Sequence, residues 1–175
     1  MRRAIAGLLL AGLAWTGPAV ADAPLAPPEQ TVCSLGGKVC ATREPDQAST
    51  LVWRKDGKAG RTDLWRVPIL PDRVEISDDG QVLVELYPGL NLLALDASAD
   101  TPVLVFHRQG RAAVTIRLNQ VVAQPEALPQ TVSHRQWARA YGFDGRGRYV
   151  LETAEGRHFL FDPKTGQPVE GALLP

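Results

Sequence analysis

From Leu51 onward, short β-prone runs alternate with Gly-containing corners at close and regular spacing, and this rhythm most constrains what the chain can become. Leu51-Val-Trp-Arg precedes Asp56-Gly57, and Arg73-Val-Glu-Ile-Ser precedes Asp78-Asp79-Gly80. Pro102-Val-Leu-Val-Phe-His precedes Gln109-Gly110, and Arg148-Tyr-Val-Leu-Glu-Thr precedes Glu155-Gly156. Each corner is followed by another β-branched or aromatic run. Runs of this length, separated by turn residues that accept positive φ, predict hairpins rather than helices. The expected fold is all-β, an antiparallel meander built as a sandwich or a partial propeller-like stack, with one or two short helices. Asn119 to Ala123 has room for a single helical turn. Ser133 to Ala140 is the second helical candidate, with Ser133 as N-cap and Gln136 three residues later as in a capping box.

Two registers follow from turn chemistry. A three-residue loop at 78–80 would set Ile76 opposite Val82 and Val74 opposite Val84, keeping four aliphatic side chains on one face. A two-residue turn at Asp79-Gly80 would instead set Val74 opposite Glu85, so the first register is expected. A two-residue turn at Gln109-Gly110 sets Val105 opposite Val114 and Val103 opposite Ile116.

Before this region the chain carries an export pattern. Arg2-Arg3 precede the apolar run Ala4 to Trp15, Gly17-Pro18 break it, and Ala19-Val20-Ala21 has small residues where cleavage requires them. The apolar run is too short to cross a hydrocarbon core about 30 Å thick. Residues 1–21 read as a signal peptide cut between Ala21 and Asp22, residues 22–30 as a Pro-rich tether, and residues 31–175 as one β-rich domain. Export implies a periplasmic or secreted protein without a membrane span. The remaining chain, about 150 residues, is long enough to bury a core unaided.

Cys33 and Cys40 are the only cysteines. Centring a turn on Gly36-Gly37 brings them directly opposite each other, within disulfide reach. Six intervening residues do not match the C-x-x-C of redox enzymes, and no second ligand pair is present for zinc. A structural disulfide is the reading.

Chemistry is sparse. The formal net charge is zero and the pI about 6.8, so bulk attraction to nucleic acid is not expected. Asp78-Asp79-Gly80 and Asp144-Gly-Arg-Gly read as turns rather than as carboxylate pairs or Ca²⁺ loops. His107, His134 and His158 have no metal-ligand spacing. Trp53, Trp65 and Trp137 suit a core with bonded indole N–H groups better than a carbohydrate groove. Ser133 and His134 are the candidate catalytic residues, because a hydroxyl beside an imidazole could form a nucleophile set with a distant carboxylate. No G-x-S-x-G elbow accompanies them.

Asp78-Asp79-Gly80-Gln81-Val82-Leu83-Val84 resembles the strand entry of β-propeller blades. Gly147 to Gly166, with its Asp162-Pro-Lys-Thr-Gly corner, looks like a blade hairpin closed by the D-x-x-T-G turn of quinoprotein and related repeats. None of the cofactor-binding residues of those enzymes is recognisable. Trp65, Ser77 to Gly80, Gly89-Leu-Asn-Leu-Leu, Thr131-Val-Ser-His with Trp137, and Phe161-Asp162 with Thr165-Gly166 together resemble a set of exported bacterial β-rich proteins of no assigned activity. That resemblance implies an exported β domain and transfers no site. The functional expectation is a non-enzymatic module that binds a protein or a small molecule without a cofactor. The alternative is a small periplasmic hydrolase built around His134.

Mass spectrometry of exported protein should find a chain beginning at Asp22. A mass that retains residues 1–21 would refute the cleavage.

Overall fold

A computed structural model of the chain describes residues 31–57 and 60–169. The leader and tether expected over residues 1–30 lie outside the described residues.

Three four-stranded antiparallel meanders account for most of the chain, as the all-β expectation requires. The first holds β1 (Thr31–Cys33), β2 (Val39–Glu44), β3 (Ser49–Asp56) and β4 (Gly60–Val67) in sequential order. The second begins with β5 (Val74–Ile76) and β6 (Val82–Leu86). After the short β7 (Leu92–Ala94), it continues with β8 (Pro102–Arg108) and β9 (Arg111–Arg117), in the order β5-β6-β8-β9. A single helical turn, α1 (Leu118–Val121), follows. Next comes β10 (His134–Gln136), which pairs with β7. The third meander is β11 (Ala138–Phe143), β12 (Tyr149–Thr153), β13 (His158–Asp162) and β14 (Gln167–Pro168).

The second sheet is the middle layer. One face of it, with Leu83, Val74 and Ile76, packs on Val39, Ala41 and Val52 of the first sheet. Its other face, with Val82, Val84, Leu86 and Phe106, packs on Tyr149, Leu151 and Phe161 of the third. Phe106 meets the Tyr149 ring edge-on at 5.5 Å and the Phe161 ring at 5.7 Å, arrangements that add to area burial. At the start of each meander, β1, β5 and β11 come together: β5 touches β1, β2 and β11. The architecture is thus a stack of three blade-like sheets whose first strands converge.

Burial on both faces explains one correction. The pairing of β5 with β6 is Val74↔Glu85, Glu75↔Val84 and Ile76↔Leu83, not the register that gathers all the aliphatics on one face. Leu83 belongs to one core and Val82, Val84 and Leu86 to the other, so apolar residues fill both faces of β6, with the half-buried Glu85 paired to His107. A four-residue turn closes the hairpin. Gly80 N–H donates to the Ser77 carbonyl, and the Ser77 Oγ accepts from Val82 N–H. Gly80 has φ 71°, and a Cβ there would stand 2.7 Å from Leu64 Cδ1. Both the backbone conformation and the close approach therefore require glycine.

The β8–β9 hairpin turns at Gln109-Gly110, as expected, with Arg108 opposite Arg111. A bulge between Phe106 and His107 then slips the register by one, to Val105↔Thr115 and Leu104↔Ile116.

The helix expected from Ser133 to Ala140 is absent. This segment forms β10, passes through Trp137 and enters β11. Trp137 is fully buried, its indole N–H donates to the Leu90 carbonyl, and its backbone bonds to Asn91 and Ala154. Eight residues of marginal helix cannot compete with that ladder and burial. Thr131, rather than Ser133, closes the turn: its Oγ accepts from His134 N–H at 3.1 Å.

Cys33 and Cys40 form the expected disulfide and face each other across β1 and β2. Their Cα atoms are 3.9 Å apart, at the closely spaced position beside the Ser34–Val39 hydrogen bond. The loop is wider than a two-residue turn at Gly36-Gly37. Gly37 N–H donates to the Ser34 carbonyl, and the loop runs from Leu35 to Lys38.

Replacing both cysteines by serine should lower the free energy of unfolding by about 2.5 kcal/mol, the entropy of a loop this short, while far-UV circular dichroism stays that of a β protein. Equilibrium urea unfolding measures the difference.

Candidate functional site

The convergence of β1, β5 and β11 leaves a cleft of about 320 Å³. Val32 and Cys33 of β1 form one wall, continued by Ser34 and Leu35. Glu75 and Ile76 of β5 form the floor. Gly142 and Phe143 of β11 close the far side. The walls are mostly apolar, and no Lys, Arg or His is among these residues.

Glu75 is the anomaly. Alternation along β5 turns Val74 and Ile76 toward the first sheet and Glu75 toward the third, into the face that carries the larger core. Its Oε2 is buried without a hydrogen-bond partner, and it belongs to no ion pair among the described residues. Gly142, with φ 147°, brings its backbone up to the carboxylate; a Cβ there would lie 3.5 Å from Oε2. Burial pushes the Glu75 carboxyl up to about 7, against a smaller downward pull from the Tyr149 hydroxyl. Tyr149 lies against it, fully buried, and its own hydroxyl completes no hydrogen bond of standard geometry. Burial first, and then the Glu75 charge, raise the Tyr149 phenol well above its ordinary range. Tyr141 is raised by burial and by Glu75, with Arg73 acting in the opposite direction. Phe143 meets the Tyr149 ring edge-on at 5.2 Å and completes an aromatic surround.

Sequence reasoning missed Glu75 and Tyr149. The available signal was a lone acid between Val74 and Ile76 in a strand, which alternation alone assigns to a solvent face. Only burial of the middle sheet on both sides makes it an internal carboxyl.

Ser133 and His134 lie elsewhere, in the hairpin before and within β10. Ser133 Oγ is 2.8 Å from His134 Nδ1, a contact between adjacent residues at an exposed turn. Among the described residues no carboxylate bonds to the other ring nitrogen, and the pair lines none of the clefts described here. His107 is buried in β8, with Nε2 2.9 Å from Glu85 Oε2. His158 is half-buried in β13. No group of three potential metal ligands forms among the described residues.

The tryptophans are engaged as expected of packed residues. Trp65 donates to the Gly80 carbonyl at 2.7 Å and Trp53 to Thr42 Oγ at 2.9 Å. The acidic turns hold themselves together: Asp79 accepts from Ser77 Oγ and Gln81 N–H, and Asp144 from the amides of Arg146 and Arg148. A wider cleft of about 410 Å³ runs between these turns, past Asp78, Asp79, Arg146 and Lys164. Its carboxylates are already occupied, Asp78 by the Gly36 amide at 2.6 Å. The Glu75 cleft differs in offering a half-buried carboxyl that belongs to no ion pair among the described residues.

Because Glu75 is raised from 4.5 to about 7, the folded protein holds that proton more tightly than the unfolded chain. Its contribution to stability is therefore full below the unfolded value and lost as pH rises toward 7. Glu75→Gln should remove this slope and stabilise the protein at pH 8 by up to roughly 3 kcal/mol. Urea unfolding of both proteins at pH 5 and pH 8 gives the comparison, and equal slopes would show that the carboxyl is not held in this state.

No protein-family model matches the chain, and no curated protein matches it. Among solved structures, the periplasmic gluconolactonase PpgL of Pseudomonas aeruginosa is similar at a TM-score of 0.39 and 17% identity, over 82% of this chain and 38% of that one. The chain thus spans well under half the length of that structure.

Proposed function

We propose that the chain is an exported, non-enzymatic module that binds a small molecule in the cleft where β1, β5 and β11 converge. The observation that carries this reading is Glu75, a half-buried carboxyl with the Tyr149 hydroxyl beside it and no ion-pair partner among the described residues, in an otherwise apolar cleft. Desolvating a carboxyl costs stability, and among the described residues no ion pair offsets that cost. A polar group placed this way in a preformed apolar recess suits ligand recognition. The disulfide supports export, because such bonds persist in oxidising compartments. Among the described residues no helix is long and apolar enough to cross a membrane.

The second reading is a hydrolase around His134, favoured by the 2.8 Å contact between Ser133 Oγ and Nδ1. That contact lacks the carboxylate that would orient the imidazole for general-base work, and it sits on an open turn.

A panel of small cationic, neutral and anionic aromatic compounds should contain at least one that raises the melting temperature of the native chain. Val32→Trp, which fills the cleft from its half-exposed wall, should abolish that rise while retaining a cooperative unfolding transition. Ester hydrolysis by the native chain that disappears in both Ser133→Ala and His134→Ala would replace binding by the second reading.

A further inference from the structure

We infer that the cleft takes a small organic ammonium ion, its charged head on the Glu75 carboxylate and its apolar body against Val32, Leu35 and Phe143. The inference rests on the cleft being a ligand site and adds the chemical class of the ligand.

Charge complementarity is the first argument. The cleft residues carry one ionisable acid and no base, and Glu75 is in no ion pair among the described residues. An anionic ligand would meet a like charge in a mostly apolar recess, with no cation among the lining residues to offset it. A neutral ligand would leave the carboxylate desolvated and unmatched. An ammonium group supplies both the counter-charge and N–H donors for the carboxylate.

The surroundings favour the same class. Phe143 lines the cleft, and the Tyr149 ring lies edge-on to it. Aromatic faces attract cations, most strongly where water is excluded. A carbohydrate would want several polar side chains across the recess, whereas here the walls are Val32, Leu35 and Phe143, with Ser34 at one edge. The volume of about 320 Å³ lies at the small end of ligand pockets and suits a single-ring amine.

Binding should be coupled to the protonation of Glu75. The groups that face it are the phenols of Tyr141 from β11 and Tyr149 from β12, both shifted upward and neutral near neutral pH. Arg73, immediately before β5, acts on Tyr141 and forms no ion pair with Glu75 among the described residues. Glu75 alone therefore titrates in the cleft around neutrality. An ammonium ion binds its ionised form, so at neutral pH binding expels a proton.

The test is isothermal titration calorimetry of the disulfide-bonded chain with benzylammonium, benzyl alcohol and benzoate. At about pH 8, benzylammonium should bind at least about tenfold more tightly than benzyl alcohol, with benzoate weakest. Its affinity should fall about tenfold or more by about pH 5.5, and titrations in buffers of different ionisation enthalpy at pH 7 should report proton release. Glu75→Gln should abolish the preference for the ammonium while retaining any affinity for the alcohol. Equal binding of amine and alcohol, or tighter binding of benzoate, would overturn the ammonium assignment. If those ligands are still lost in Val32→Trp, the cleft survives as the site. Undiminished binding in Val32→Trp would overturn both readings, as would failure of all three compounds to bind.

Discussion

The burial of the middle sheet on both faces is the constraint on which the other features of the fold depend. A strand in such a layer has little solvent side, so the apolar residues of β6 are divided between two cores, and Glu85 is engaged by His107. Val82, Val84 and Leu86 serve the core shared with the third sheet, and Leu83 serves the one shared with the first. The sheets are then held by packing rather than by shared strands, since hydrogen-bonded pairing stops at the edge of each meander. Glycines at the corners let the layers close up: Gly80 accommodates Leu64 and Val39 beneath the turn, and the Trp65 indole bonds to its carbonyl.

The same constraint creates the site. A strand with only one buried face could point a glutamate outward at no cost. In β5 the alternation that sends Val74 and Ile76 into one core sends Glu75 toward the other, where Tyr149 and Phe143 leave it little water. The carboxyl is moved toward neutrality by this position and not by a neighbouring acid, since burial is the main cause of its shift. Its charge state is therefore set by what enters the cleft. A cation would draw it to the ionised form, and an apolar occupant would hold it protonated.

Turn chemistry was legible in the sequence and layer order was not. Gln109-Gly110 marked its corner because few residue pairs accept positive φ at both positions, and Cys33 and Cys40 found each other because the hairpin between them is short. The β5–β6 register was misjudged because choosing it meant knowing that two sheets, not one, would cover β6. The segment at Ser133 was misjudged for a related reason. Its capping pattern is local, whereas the burial of Trp137 and the pairing of β10 with β7 join residues some forty positions apart. Glu75 was invisible for the same cause as the register. Its neighbours in sequence are ordinary, and only the third sheet makes it internal. His134 and Ser133 drew attention as residue types, yet their contact reaches no further than one residue along the chain.

The disulfide has a consequence for when the cleft exists. Cys33 is part of its wall, and β1, three residues long, is an edge strand hydrogen-bonded to β2 alone. Short edge segments open locally at small free-energy cost. Before oxidation, the wall opposite Glu75 is a short edge segment prone to fray. Closing the Cys33–Cys40 bond fixes that wall to β2 and, through it, to the first core. Under the proposed reading, recognition is thereby tied to the thiol chemistry of the surroundings: a largely folded chain with reduced cysteines would present a less completely formed recess than the disulfide-bonded chain.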